Sequence, residues 1–63
     1  MSLGSKIKNA RRMAMLSVRG LAKLTGINEG HLSRIENDKI QPRIDTIKRI
    51  AEALRTDWHN LIE

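Results

Sequence analysis

Apolar residues along this chain recur at intervals of three and four, the period of an amphipathic α-helix, and nowhere alternate over a useful length as a strand requires. Leu3, Ile7, Ala10 and Ala14 fall at i, i+4, i+7 and i+11 and predict one stripe of a first helix of about 12 residues. Lys6, Lys8 and Arg12 lie off that stripe. Ser17 reads as the N-cap of a short second helix from Val18 to about Leu24, with Leu21 and Ala22 inward. Gly26, within Thr25-Gly26-Ile27, is the natural left-handed stop. Asn28 is placed to cap a third helix through about Glu36 that turns Leu32 and Ile35 inward. Asn37-Asp38-Lys39 reads as a turn, and Pro42 punctuates the loop after it. A fourth helix is predicted from about Ile44 to Leu54 on the stripe Ile44, Ile47, Ile50, Ala51 and Leu54. Asp57 can cap a last turn carrying Trp58, Leu61 and Ile62.

Composition agrees with an all-α chain. Hydrophobic residues make up 40%, aromatics only 2%, and Phe and Tyr are absent, so the side chains that strands favour are scarce. The 63 residues suit a single domain, whose small core requires nearly every large apolar side chain. No low-complexity run or repeat divides the chain, so residues 1–63 read as one unit. Cysteine is absent, which removes a disulfide scaffold. His31 and His59, far apart in sequence, do not make a zinc site. No stretch approaches a membrane span and no signal-peptide pattern appears. The expectation is a soluble cytoplasmic domain without cofactor or metal.

Charge changes the picture further. The formal net charge is +5, and it is unevenly placed. Residues 1–28 carry Lys6, Lys8, Arg11, Arg12, Arg19 and Lys23 with no acid, whereas the remainder balances six bases against seven acids. An excess of this kind is the footprint of a polyanion binder, although a solvated surface looks the same by charge alone.

Two short helices joined by a Gly-containing turn give the charge a geometry. In a helix-turn-helix unit the first helix braces across the DNA backbone and the second enters the major groove. The arrangement needs a small residue in the first helix, glycine at the turn and apolar anchors beneath both. Ala22, Gly26, and Leu21, Ile27, Leu32 and Ile35 meet those needs in the stretch of about residues 18–37.

Here the chain resembles a known family, the Cro/CI-type (XRE-like) helix-turn-helix domains of phage repressors and bacterial regulators. The resemblance is carried by Ile7-Lys8 and Arg11, Leu16-Ser17, the run Leu21-Ala22-Lys23-Leu24-Thr25-Gly26-Ile27, and His31-Leu32-Ser33-Arg34-Ile35-Glu36-Asn37. Pro42 and Ile47-Lys48-Arg49-Ile50-Ala51-Glu52-Ala53-Leu54 extend it to essentially the whole chain. It implies a compact five-helix, lambda-repressor-like fold with the helix-turn-helix at helices 2 and 3. It also implies a transcriptional regulator of repressor type that binds double-stranded DNA as a homodimer. With no phosphate-cradling Gly loop, metal-ligand cluster, or Ser/His/Asp or paired-carboxylate arrangement in the sequence, no enzyme is expected.

The resemblance assigns roles position by position. Asn28, Glu29, Gly30, Ser33 and Arg34 would face the major groove, Asn28 serving as cap, base reader or both. Arg34 suits guanine O6 and N7, Glu29 suits cytosine N4, and Gly30 leaves Arg34 room to lean toward the helix N-terminus. His31 is assigned to packing or a phosphate. Ser17 with the N–H groups opening helix 2, and Arg12, Arg19, Lys39 and Arg43, are the phosphate candidates. Arg11 is expected to pair with Glu36 inside the domain, as some relatives do, and so to be structural.

The chain departs from the family pattern at Val18, where Gln or Thr commonly opens helix 2, and at Gly20, Met15 and Arg55. The missing amide at Val18 keeps a second reading open, a protein-interaction module of antitoxin or coactivator type on the same fold. A third, residues 3–16 as a membrane-surface helix, has too narrow an apolar stripe built partly of Ala.

Overall fold

The computed structural model describes residues 1–63 as five helices: α1 (Leu3–Met13), α2 (Val18–Thr25), α3 (Glu29–Glu36), α4 (Ile44–Ala53) and α5 (His59–Ile62). None of them is long and apolar enough to cross a membrane. At four to eleven residues these helices are too short to persist alone in water, so packing must hold them. The core is Ile7, Leu21, Ala22, Leu32, Ile35, Ile47, Ile50, Ala51 and Leu61, drawn from all five helices. Each fully buried Ile or Leu adds about 1.5–3 kcal/mol relative to an exposed one. The helix contacts run α1 to α3, α2 to α3, α2 to α4 and α1 to α5, which seats α3 between the two N-terminal helices.

The helix ends follow the caps predicted for α2 and α3. Ser17 Oγ accepts the N–H of Gly20 at 2.9 Å, and Asn28 Oδ1 accepts that of His31 at 3.1 Å. Gly26 stops α2 at φ 75 with its N–H donated to Ala22 O, a left-handed conformation that glycine adopts without steric cost. α2 runs one residue beyond expectation, to Thr25. The buried Thr25 hydroxyl donates to Leu21 O at 2.9 Å and accepts from the N–H of Ile27 at 3.2 Å. One side chain thereby closes the helix and starts the turn.

Apolar side chains at helix ends depart from their expected burial. Ile44 is 55% exposed and Ile62 45% exposed, while Ala14 is the exposed C-cap of α1 and lies outside the helix. A helical side chain leans toward the N-terminus, so Ile44, first in α4, projects past the end of its helix. α5 is a single turn that buries Leu61 and leaves its last residue outside. Leu24, Met13 and Met15 are exposed as well, so the core uses fewer large side chains than expected. α4 ends at Ala53 with Leu54 as its C-cap. Trp58, not Asp57, immediately precedes α5, but Asp57 Oδ1 accepts the N–H of His59 at 3.0 Å and does the capping.

Candidate nucleic-acid interface

α3 has two faces of opposite character. Leu32, Ile35 and Glu36 are buried, whereas Asn28, Glu29, Gly30 and Arg34 are exposed and Ser33 is half-buried. Helical spacing separates positions 32, 35 and 36 from 30, 33 and 34, whereas Glu29 shares the i, i+3, i+7 register of 32 and 36 and is exposed at the first position of the helix. The side chains of Glu29 and Arg34 make no ion pair within the chain, so both are available to a partner. A Cβ at Gly30 would lie 3.2 Å from Asn28 Oδ1, the oxygen that caps the helix. Glycine at 30 thus lets the cap sit close and leaves that part of the surface low. His31 is half-buried.

Beside this face an open trough of about 510 Å³ is lined by Arg19, Lys23, Gly26, Asn28 and Glu29, with Ala22 and Ile27. It joins the exposed side of α2 to the start of α3 and gathers two cations beside the first residues of the α3 face. Lys23 was not among the phosphate candidates, although its place in the acid-free stretch was the available signal. Lys39 N–H donates to Arg34 O at 2.8 Å, which holds the turn after α3 close to the base of Arg34. Arg43 is the N-cap residue of α4 but makes no capping bond with its side chain. Arg12 is exposed in the last turn of α1; neither it nor Arg43 lines the trough.

Ser17 opens α2 from an exposed position, with Oγ engaged as the cap. Val18 is half-buried and packs against the core. Its side chain therefore contributes to the interior and offers no anion donor, leaving the backbone N–H groups at the start of α2 and the exposed Arg19 to do so.

Behind the surface, Arg11 fastens three segments together. Its Nε donates to Glu36 Oε2 at 2.7 Å and its Nη2 to Glu36 Oε1 at 3.1 Å, while Nη1 donates to Leu16 O at 2.7 Å. The two side chains are 9% and 4% exposed. A forked pair with the third guanidinium nitrogen also bonded is the arrangement in which a buried charge can be tolerated. It ties the end of α3 to α1 and to the residue before Ser17, so the entrance to α2 and the exposed face of α3 share one anchor. No buried side-chain nitrogen or oxygen lacks a hydrogen-bond partner.

Known proteins are similar to this chain in sequence and fold. Residues 7–60 match the helix-turn-helix family. The chain is 37% identical over 62 residues to the HTH-type transcriptional repressor RghR of Bacillus subtilis, covering 97% of this chain and 46% of that protein. It is 38% identical over 52 residues to an HTH-type transcriptional regulator of Mycobacterium tuberculosis, covering 82% of this chain and 37% of the relative. It thus spans less than half the length of either. The crystal structure of SinR, the master regulator for biofilm formation, in complex with DNA superposes with a TM-score of 0.92 at 27% identity, covering 97% of this chain and 98% of that one. With the family's two helices, glycine turn and exposed second helix all in place, the chain belongs to the helix-turn-helix family of XRE-type transcriptional regulators.

Proposed function

We propose that this domain binds double-stranded DNA sequence-specifically and regulates transcription as a repressor, with α3 in the major groove. The observation that carries the reading is the division of α3, one face locked into the core and the other bare between cationic neighbours. A major groove about 12 Å across admits an α-helix, and the likeness to SinR, solved with DNA, supports the same docking.

Base reading falls to Asn28, Glu29, Gly30, Ser33 and Arg34. Arg34 presents a fork to guanine, and Glu29 accepts from cytosine N4 while repelling bases that offer only acceptors. Phosphate contacts fall to the opening of α2 at Ser17 and to Arg12, Arg19, Lys39 and Arg43, with Lys23 added by its place in the trough. Two copies would occupy half-sites about one helical turn apart, as helix-turn-helix dimers do. The role is one of binding without catalysis, in the cytoplasm where bacterial DNA lies.

The inward turn of Val18 is the one feature favouring a protein-interaction module. Selection of duplexes from a random pool at two salt concentrations separates the two. Enrichment of a palindromic site with a steep salt dependence supports the regulator, and absence of binding even at low salt supports the protein partner. Salt-dependent binding without enrichment would reduce the interaction to charge and overturn sequence-specific regulation.

A further inference from the structure

The turn that follows α3 is fastened across the molecule by one carboxylate. Asp38 stands at φ 59, a left-handed conformation that Asp tolerates better than most residues with a side chain. From there Oδ1 accepts the N–H of Gly4 at 3.0 Å and Oδ2 accepts the Ser2 hydroxyl at 2.6 Å. Both donors lie at the N-terminus of α1, the end of a helix that favours negative charge. Gly4 permits the approach. A Cβ there would lie 2.6 Å from Asp38 Oδ1 and 2.5 and 2.6 Å from the carbonyl oxygens of Glu36 and Ile35.

Backbone bonds carry the effect of this hook to the surface. Asp38 N–H donates to Ile35 O at 3.1 Å, and Lys39 N–H to Arg34 O at 2.8 Å. Lys39 is thus joined to an anchored residue on one side and to the backbone of Arg34 on the other. We propose that Asp38 is a positioning residue for DNA recognition, fixing the phosphate-contacting Lys39 relative to the base-reading Arg34. The role rests on the DNA-binding reading above. Electrostatics alone acts in the opposite direction, because a carboxylate beside a phosphate-facing surface weakens binding. The sign of the effect therefore separates positioning from charge.

The test titrates the chain with its selected duplex between about 0.05 and 0.2 M salt. Asp38→Gly keeps the left-handed backbone and removes both hydrogen bonds, whereas Asp38→Asn keeps the backbone and an acceptor for Gly4. The glycine variant is expected to bind roughly five-fold more weakly with a salt slope smaller by about one, and the asparagine variant to recover most of the loss. Adding Lys39→Ala to Asp38→Gly should cost nothing more, since the lysine is already misplaced. Hydrogen exchange at the Gly4 amide of the free protein should accelerate in the glycine variant and stay slow in the asparagine variant. Titration at a temperature where thermal unfolding shows every variant folded removes stability from the comparison. Tighter or unchanged binding by Asp38→Gly, or full additivity with Lys39→Ala, overturns the positioning role while leaving DNA binding intact. Failure of the unaltered chain to bind any duplex overturns the DNA reading, and the positioning role with it.

Discussion

Arg11 and Glu36 meet as a forked ion pair between α1 and the end of α3, with the third guanidinium nitrogen donating to Leu16 O. Two charges taken out of water are stable together and costly apart. Arg11→Ala or Glu36→Gln should lower the stability of the fold by about 3–5 kcal/mol, read by urea unfolding. Base preference measured on the folded fraction should stay the same. A loss below about 1 kcal/mol, the level of an exposed pair, would contradict the structural role.

Gly4 is required for space. Two carbonyl oxygens of α3 stand within 2.6 Å of where its Cβ would be, and backbone cannot yield as a flexible side chain does. Although alanine is the better helix former by about 1 kcal/mol, Gly4→Ala should destabilise the domain by about 1–3 kcal/mol. Thermal unfolding checks the sign; a rise in Tm would mean that α1 shifts freely against α3.

Met15 and Arg55 sit in the left-handed region at φ 61 and φ 55, and both are exposed. A residue with a Cβ is disfavoured there by about 1–2 kcal/mol, while glycine adds freedom to the unfolded chain. Met15→Gly and Arg55→Gly should each stabilise the fold by a net of about 0.5–1 kcal/mol. The change is read as a Tm higher by a few degrees, and a lower Tm in either variant would show that the side chain contributes more than its backbone costs.

Arg34→Ala should relax preference at one base pair, with a loss of about 1–3 kcal/mol confined to that position. Lys39→Ala should weaken all sequences alike and reduce the salt slope by about one. Duplex selection with each variant distinguishes the patterns. Uniform weakening by Arg34→Ala would move that residue from the bases to the phosphates.

The Asp57 carboxyl is held below its ordinary value of 3.8, chiefly by the backbone N–H of His59 and then by the His59 side chain. A depressed carboxyl stabilises the fold above its unfolded pKa, and the contribution disappears as pH falls through the lowered native value. Acid titration of the Asp57 carboxyl by NMR should show a midpoint below 3.8. Asp57→Asn should flatten the stability profile in that acid range. An unshifted midpoint would show that the cap opens in solution.

Much of this organisation is legible in local patterns. Helical period, Ser17, Asn28 and Gly26 give the order and approximate bounds of α1 through α4, because caps and stops act within one turn of chain. The spacing of Leu32 and Ile35 turns positions 30, 33 and 34 outward, and Glu29 is exposed as the first residue of α3. Less legible are contacts between residues far apart in the chain. The hook of Asp38 on Ser2 and Gly4 spans more than thirty positions, and the turn residues of 37–39 announce only that the chain bends. Ile44 shows the converse, an apolar residue in register with its stripe that remains exposed at the first position of α4.

The amino-acid sequence by itself determined the helices, the helix-turn-helix unit and the face of α3 that is turned outward, since period, caps and glycine stops depend on neighbours along the chain. The family resemblance already placed Arg11 against Glu36, but tertiary structure alone decided that Leu16 O takes the third guanidinium nitrogen, which glycine was needed for close approach, and how the loop after α3 was anchored. Those outcomes depend on desolvation and on distances between segments that meet only when the core closes. The acid-free stretch of residues 1–28 counts Arg11 among its cations, while the fold buries that residue against Glu36 as the anchor of α3.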